Sequence, residues 1–498
     1  MTLTTFNPQP AIAAICTAPG RAGIAVVRIS GADAFAIADA LCPGAGAMKA
    51  GEFRLRKVRA PDSSEIIDEA VVLAFRAPRS YTGEDVVEFQ THGGAMPARR
   101  VLAAALAAGA SPAGAGEFTK RAFLNGRVDL SAAEAVMDLI GAESERAARS
   151  AAEQLSGALG RRVDALLDAL LAVCADIEAT LDFADDEANS IIEPARVPER
   201  LAALHADIRA LAATWREGRL LREGALVVLS GAPNAGKSTL FNALLGACRA
   251  IVTDIPGTTR DSIEEPLVLD GIPLRLVDTA GIRETDSEIE RLGVRRSEDL
   301  VSKADLNLRV IDITDAEAEN MANAANAKNT IIVLNKSDLA PPSARLSAQA
   351  RLHSKAIDCN RLQSKADEDV SAPSIPSTPS NSTPHTPHST LLQIAVSAAT
   401  GAGIEELKFA LKTALLDGSP AFGAQSFVAV SGRHHELLRA AAAGIEAALD
   451  AWRAAAADSA AICAQTLRPA AEALAQITGR SYTDGLLDKI FSSFCIGK

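Results

Sequence analysis

Residues 225–246 read ALVVLSGAPNAGKSTLFNALLG. An apolar run, ALVVLS, delivers the chain into Gly231-Ala232-Pro233-Asn234-Ala235-Gly236-Lys237-Ser238, and a helix-favouring stretch, TLFNALLG, begins at Thr239. A glycine-rich turn between a strand and a helix lets backbone N–H groups face inward around phosphates, at the positive end of the helix dipole. Lys237 then reaches the β and γ oxygens of a nucleoside triphosphate, and the Ser238 hydroxyl ligates magnesium. The pattern predicts a P-loop domain of alternating strands and helices.

Three further segments follow in the order such a domain requires. Asp278-Thr279-Ala280-Gly281 ends the apolar run Leu274 to Val277, where a carboxylate can hold the outer shell of magnesium and the Gly281 N–H can sense the γ-phosphate. Asn335-Lys336-Ser337-Asp338 follows the run Ile331 to Leu334. Asp338 can accept from guanine N1 and the exocyclic amine, donors that adenine lacks, so the wrong base leaves buried polarity unpaired. Ser397-Ala398, after Ile394 to Val396, completes the base pocket through backbone contacts. Between the phosphate loop and Asp278, the stretch Thr253-Asp254-Ile255-Pro256-Gly257-Thr258-Thr259 is placed to bring a hydroxyl to magnesium on a mobile loop. Residue 282 is Ile, where many GTPases carry a water-orienting Gln. The polarising group must come from elsewhere, and the acidic stretch Arg283 to Glu290 is one reservoir.

The 498 residues exceed what one hydrophobic core usually supports, so two or three domains are expected. Hydrophobic residues make up 48% and aromatics 4%, which favours helix and small packed side chains over aromatic-rich sandwiches. No run reaches the roughly 20 apolar residues of a membrane span, and MTLTTFNPQP lacks the basic-then-apolar order of a signal peptide, so the expected location is the cytosol. Seven scattered cysteines with no CxxC pair suggest neither zinc nor disulfides. A net charge of -12 argues against broad non-specific nucleic-acid binding, while leaving room for a local basic patch.

Residues 1–125 mix the short apolar runs Ile24 to Ile29, Val71 to Phe75 and Val86 to Phe89 with Gly-rich turns, a small α+β domain. In 126–222, Leu155, Leu159, Val163, Leu166, Leu170, Val173, Ile177 and Leu181 recur every three or four residues, on one face of a long helix. A second helical stretch spans about 434–478, within 416–498. Between them, 223–415 form an inserted α/β domain whose apolar runs, including Leu226 to Leu229, Leu308 to Ile311 and Leu391 to Val396, each end in motif residues. Ligands gather at such carboxyl ends. Asp270-Gly271 predicts a tight hairpin within 264–277. The Pro/Ser/Thr-rich stretch 371–389 cannot bury enough apolar area to offset its ordering entropy and reads as a disordered loop, about 341–390, without a designed metal site at His385 and His388.

GAPNAGKST, TDIPGTTRD, DTAGIRETDSEIERLG and NKSD, set in helical flanks and ending in FCIGK, resemble the MnmE (TrmE) family of tRNA modification GTPases. The N-terminal segments APGRAGIAVVRISG, SYTGEDVVEFQTHGG and GEFTKRAFLNGRVDLSAAEAV are similar to the same family over nearly the whole chain. The resemblance implies a multidomain α/β protein: an N-terminal α+β tetrahydrofolate-binding domain that dimerises, a long-helix domain, and an inserted Ras-like G domain. Asn234, Thr253, Ile255 and Thr258 match positions that hold potassium beside the phosphates, and Ser238 and Thr259 match the magnesium ligands. Glu290 matches the catalytic glutamate that orients water, acting with Lys237 and Gly281. Arg28, Glu88 and Lys498 match folate-contacting positions, and Arg127 stands where the family has Lys, keeping the charge with a different geometry.

By that resemblance the cofactors are GTP, magnesium, potassium and a 5-formyl or 5,10-methylene tetrahydrofolate, with FAD entering only through an MnmG-type partner in a heterotetramer or larger complex. The substrate is then the wobble uridine of certain tRNAs, modified at carbon 5 with a carboxymethylaminomethyl-type group, and G-domain dimerisation accompanies hydrolysis. The residues 231–398 fit equally a regulatory GTPase acting on ribosomal RNA or a protein. The N-terminal domain and the CIGK tail separate the two, since a pure switch needs neither. Cys495 fits two readings, a reactive terminal thiol or a small buried thiol near the folate pocket.

Overall fold

The computed structural model describes residues 10–63, 65–182, 196–247, 264–278, 299–315, 329–340, 392–416, 429–454 and 459–498. The chain divides into two units, one of residues 1–141, 149–215 and 426–498, the other of 142–148 and 216–425. No helix among the described residues is long and apolar enough to cross a membrane.

The first unit opens with β1 (Ile12–Ile15), β2 (Ile24–Ser30), β3 (Phe53–Arg59), β4 (Ile66–Phe75), β5 (Val86–His92) and β6 (Ser111–Pro112), in the order β3-β4-β5-β2-β1-β6. Only the β1–β6 pair is parallel. Strand alternation sorts the faces. Val27, Ile29, Val72, Ala74, Val87 and Phe89 share a core with the helices Ala34–Leu41 and Ala95–Ala107. The opposite parity sets Arg28 directly across from Glu88 in the β2–β5 register.

Four helices, Ala158–Asp182, Val197–Ala213, Gly432–Arg453 and Ser459–Thr478, bury a second core built on Leu159, Leu170, Leu201, Ile208, Ile445 and Leu474. The predicted continuous stripe from Leu155 to Leu181 is corrected at its start. A helix ends at Leu155, Gly157 turns left-handed at φ 82, and a new helix starts at Ala158. Leu155 packs instead beside the cluster of Phe123, Leu130, Leu487 and Phe491. The second helical stretch is likewise two helices, on either side of 455–458.

Glu134, on the helix Leu130–Ile140, knits these parts together. Its carboxylate accepts from Arg433 Nε at 2.7 Å and Nη2 at 3.0 Å and lies 2.6 Å from His434 Nε2, while Arg433 also donates to the Gln476 and Ile477 carbonyls. His434 is fully buried and helps cap its own helix at Ser431. Burial works to raise the Glu134 pKa, yet His434 and Arg433 outweigh it and bring it down to about 2.

In the second unit β7 (Ala225–Ser230), β8 (Glu264–Leu269), β9 (Ile272–Asp278), β10 (Leu306–Asp312), β11 (Thr330–Asn335) and β12 (Leu392–Ala395) lie in the order β12-β11-β10-β7-β9-β8. All pairs are parallel except β8–β9. That hairpin turns on Asp270 (φ 49) and Gly271 (φ 85), the paired positive angles of a type I′ turn. The helices Lys237–Ala247 and Ile404–Leu416 bury Leu240, Leu244, Leu407 and Leu411 against the sheet. The stretch 371–389 and its two histidines lie outside the described residues.

A carboxyl whose folded pKa is depressed adds stability above its unfolded pKa and loses it as pH falls through the folded one. Glu134→Gln is expected to cost about 3 kcal/mol at pH 7. The gap to the wild type in thermal unfolding should close as pH drops from about 4.5 toward the folded value near 2. A gap independent of pH contradicts the assignment.

Candidate functional site

The phosphate loop leaves β7 at Ser230 and enters its helix at Lys237. Gly231 (φ 141) runs so close to β10 that a Cβ there would stand 2.1 Å from the Val310 carbonyl. Gly236 (φ 89) runs equally close to Asn335, with 2.2 Å between a built Cβ and Nδ2. Side chains are excluded at both places, and the backbone is left to line the cradle. Asn234 takes the left-handed region at φ 61. Lys237 is 6% exposed and donates to the Gly231 and Ala232 carbonyls at 3.0 and 2.8 Å, so its ammonium lies folded across the loop. Ala235 is buried, and Thr239 continues the helix.

Ser238 Oγ donates to Asp278 Oδ2 at 2.7 Å. A hydroxyl and a carboxylate side by side are hard oxygen donors of the kind magnesium takes. The register of β7 against β9 produces this meeting, because Leu229 pairs with Asp278 at the carboxyl ends of two parallel strands.

The residues expected to read the base converge on the same edge. Asn335, 2% exposed, donates from Nδ2 to the Ala235 carbonyl at 2.9 Å and accepts at Oδ1 from the Ala398 N–H at 3.1 Å. One amide thus joins the phosphate loop, the loop after β11 and the loop after β12. Asp338 Oδ1 accepts from Ser397 Oγ at 2.6 Å, and that hydroxyl also accepts from the Thr400 N–H. Lys336 is left-handed at φ 63 and pairs with Asp312 at 2.6 Å. Asp312 and its neighbour Thr314 escaped the sequence reading. An Asp closing an apolar strand with a hydroxyl two residues on signals a local self-capping turn, but the meeting of Asp312 with Lys336 depends on the register of β10 and β11.

Thr253, Asp254, Ile255, Pro256, Gly257, Thr258, Thr259, Thr279, Ala280, Gly281 and Glu290 lie outside the described residues. Of the residues expected to hold potassium only Asn234 is described, and of those expected to ligate magnesium only Ser238.

A second candidate site lies in the first unit. Arg28 Nε donates to Glu88 Oε1 at 2.7 Å, with both side chains about 15% exposed (16% and 15%). The Arg28 guanidinium stands 5.0 Å from the Tyr81 ring centre and 5.4 Å from that of Phe118. Tyr81 is held through its hydroxyl, 2.8 Å from Thr119 Oγ1. The C-terminal tail joins this place. The Phe118 N–H donates to the Lys498 carbonyl at 3.1 Å, Ile496 pairs with Ala115, and Gly497 (φ 98) passes against Ile15 and Cys16. Burial pushes the Cys16 thiol up, with Arg28, Glu88 and Lys498 all near enough to act on it. Arg127 packs on Gly83, in the turn that carries Tyr81, and lines an open pocket with Phe123 and Tyr482. Cys495 is exposed, which removes the buried-thiol reading: the tail is anchored by its backbone, leaving this side chain outward. Among the described residues no group of His, Cys, Asp or Glu could hold a metal ion by itself.

Two family models match, the MnmE helical domain over residues 130–495 and the GTP-binding protein TrmE N-terminus over 11–127. A tRNA modification GTPase MnmE from Thermus thermophilus is 40% identical over 495 residues, covering 99% of this chain and 100% of its own. One of the same description from Azoarcus is 42% identical over 500 residues, covering 99% of each. The FeoB G-domain from Methanococcus jannaschii is 22% identical, covering 39% of this chain and 98% of its own, with a TM-score of 0.22.

Because a methyl at 236 has no room beside Asn335, Gly236→Ala is expected to lower affinity for a fluorescent guanine nucleotide by more than about a hundredfold. Affinity within a few-fold of the wild type contradicts the close approach as a requirement of the site.

Proposed function

This chain belongs to the MnmE family of tRNA modification GTPases, and from that membership we propose how its two sites divide the work. It is a GTP-hydrolysing enzyme of tRNA modification that binds GTP and magnesium. The observation that carries our reading of the nucleotide site is the Asn335 bridge, which sets the base-reading Asp338 at a fixed reach from the phosphate loop.

In our reading Lys237 and the backbone of Asn234 to Ser238 hold the phosphates, with Thr239 beside them. Asp338, Lys336, Ser397 and Ala398 hold guanine. Ser238 and Thr259 ligate magnesium, with Asp278 in its outer shell and Thr279, Ala280 and Gly281 around the γ-phosphate. Lys237 unfolds from the Gly231 and Ala232 carbonyls to meet the anionic oxygens, a stronger partner than neutral carbonyls. Asn234 with Thr253, Ile255 and Thr258 would hold potassium, with Asp254, Pro256 and Gly257 between them in sequence. When bound, that ion supplies the positive charge an arginine supplies elsewhere. Glu290 orients the attacking water, which Ile282 cannot do.

The first unit supports a folate site. Arg28 and Glu88 offer a donor and an acceptor beside two aromatic rings, features suited to a flat heterocycle with polar edges. Lys498 and Arg127 complete the set in our reading. Residues 1–125 then bind folate and dimerise, 223–415 hydrolyse GTP, and 126–222 with 416–498 form the helical domain between them in sequence. When bound, the folate would supply a one-carbon unit for carbon 5 of the wobble uridine, in the cytoplasm, with an FAD-dependent MnmG-type partner. GTP hydrolysis drives motion and does not form the new bond, since no P-loop residue acts on a base.

Mass analysis of tRNA from a strain lacking this protein is expected to show wobble uridines without the carbon-5 substituent. Unchanged uridines would leave the regulatory-switch reading. Hydrolysis by the purified enzyme is expected to run more than about tenfold faster in potassium than in sodium. Equal turnover in the two salts contradicts the potassium role.

A further inference from the structure

Asp312 closes β10 and Asn335 closes β11, and the parallel register pairs these two residues. The next residue, Lys336, enters the left-handed region at φ 63, where a residue with a side chain is strained. Something must hold it there. The Lys336 ammonium donates to Asp312 Oδ2 at 2.6 Å. The other oxygen, Oδ1, accepts from the Thr314 N–H at 3.0 Å and the Thr314 hydroxyl at 2.7 Å. Both oxygens are therefore committed before any ligand arrives. Burial pushes the Asp312 carboxyl up, but the donors from Lys336 and Thr314 prevail and hold it below the ordinary carboxylate range.

The backbone around Lys336 is pinned as well. The Asn335 carbonyl accepts from Ile313, the Ser337 N–H donates to the Val396 carbonyl, and the Leu339 N–H donates to the Lys336 carbonyl, each at 3.0 Å. Exposed ion pairs contribute little, because two long side chains lose freedom to make them. Here one partner is already fixed by Thr314, and the side chains are only 33% and 24% exposed, so much of that loss falls outside the pairing itself.

We propose that Asp312, backed by Thr314, is a positioning residue for guanine recognition: it holds Lys336 in the left-handed turn that aims Asp338, and thereby sets how tightly and how long GTP and GDP are held. Asp312 acts through Lys336 and does not touch the base. The proposal rests on the reading of residues 335–338 as the guanine loop. Asn at 312 keeps the shape and an acceptor for Thr314 while removing the charge that draws in Lys336. Val at 314 removes only the hydroxyl that braces the carboxylate.

The test uses the full-length protein, a fluorescent GDP analogue and a chase with unlabelled GDP. Asp312→Asn is expected to release GDP about tenfold faster and Thr314→Val about threefold faster, the scale of one charge-assisted and one neutral hydrogen bond. KM for GTP should rise by similar factors, with kcat at saturation within about twofold of the wild type. Release at the wild-type rate in both variants would overturn the role of Asp312. So would kcat falling as far as kcat/KM in Thr314→Val, since that is the mark of an interaction made only in the transition state and not of one that holds the nucleotide. If Asp312→Asn does not fold, Thr314→Val alone decides. Wild-type protein that fails to bind the GDP analogue would overturn the guanine-loop reading itself, a result separate from the other two.

Discussion

The nucleotide site depends on one buried carboxamide. Asn335 spends its donor on the Ala235 carbonyl and its acceptor on the Ala398 N–H, and the Gly236 backbone approaches so closely that no side chain fits between them. A buried amide with both ends satisfied is held firmly, because releasing either end leaves polarity unpaired in a low-dielectric setting. Three loops from three parallel strands are thereby kept in one arrangement. Everything downstream, from the Ser238–Asp278 oxygens to the Asp338–Ser397 pair, is measured from that junction. Family membership says that the chain hydrolyses GTP; the amide fixes the three loops relative to one another.

The first unit uses charge differently. Glu134 is surrounded by Arg433 and His434, with Arg433 also occupied by two backbone carbonyls, so the cluster serves packing between helices distant in sequence. Arg28 and Glu88 are paired side by side, flanked by rings and approached by the C-terminal tail. The first arrangement is closed on itself. The second keeps both side chains partly accessible.

Much of this was legible in the residues. The strands of the second unit could be read because each apolar run ends in a motif, and Asp270-Gly271 announced its hairpin because few other dipeptides accept two positive φ angles. The break at Gly157 was masked, since the apolar spacing carries on through Ser156 and Gly157 although Ser-Gly is itself a turn dipeptide. Periodicity records which positions are apolar and is blind to a turn that preserves the count. Cys495 was ambiguous because its exposure is decided by backbone bonds from Gly116 and Phe118, more than 370 residues away. Asp312 went unseen for a related reason. Its importance comes from the strand register that brings it beside Lys336, and no local pattern encodes that pairing.

The most direct measurement is a calorimetric titration of the purified full-length chain, with magnesium present, against GTP and then ATP. The account predicts saturable binding of GTP at one site per chain and no detectable heat from ATP at the same concentrations. Equal affinity for both, or none for GTP, would contradict it.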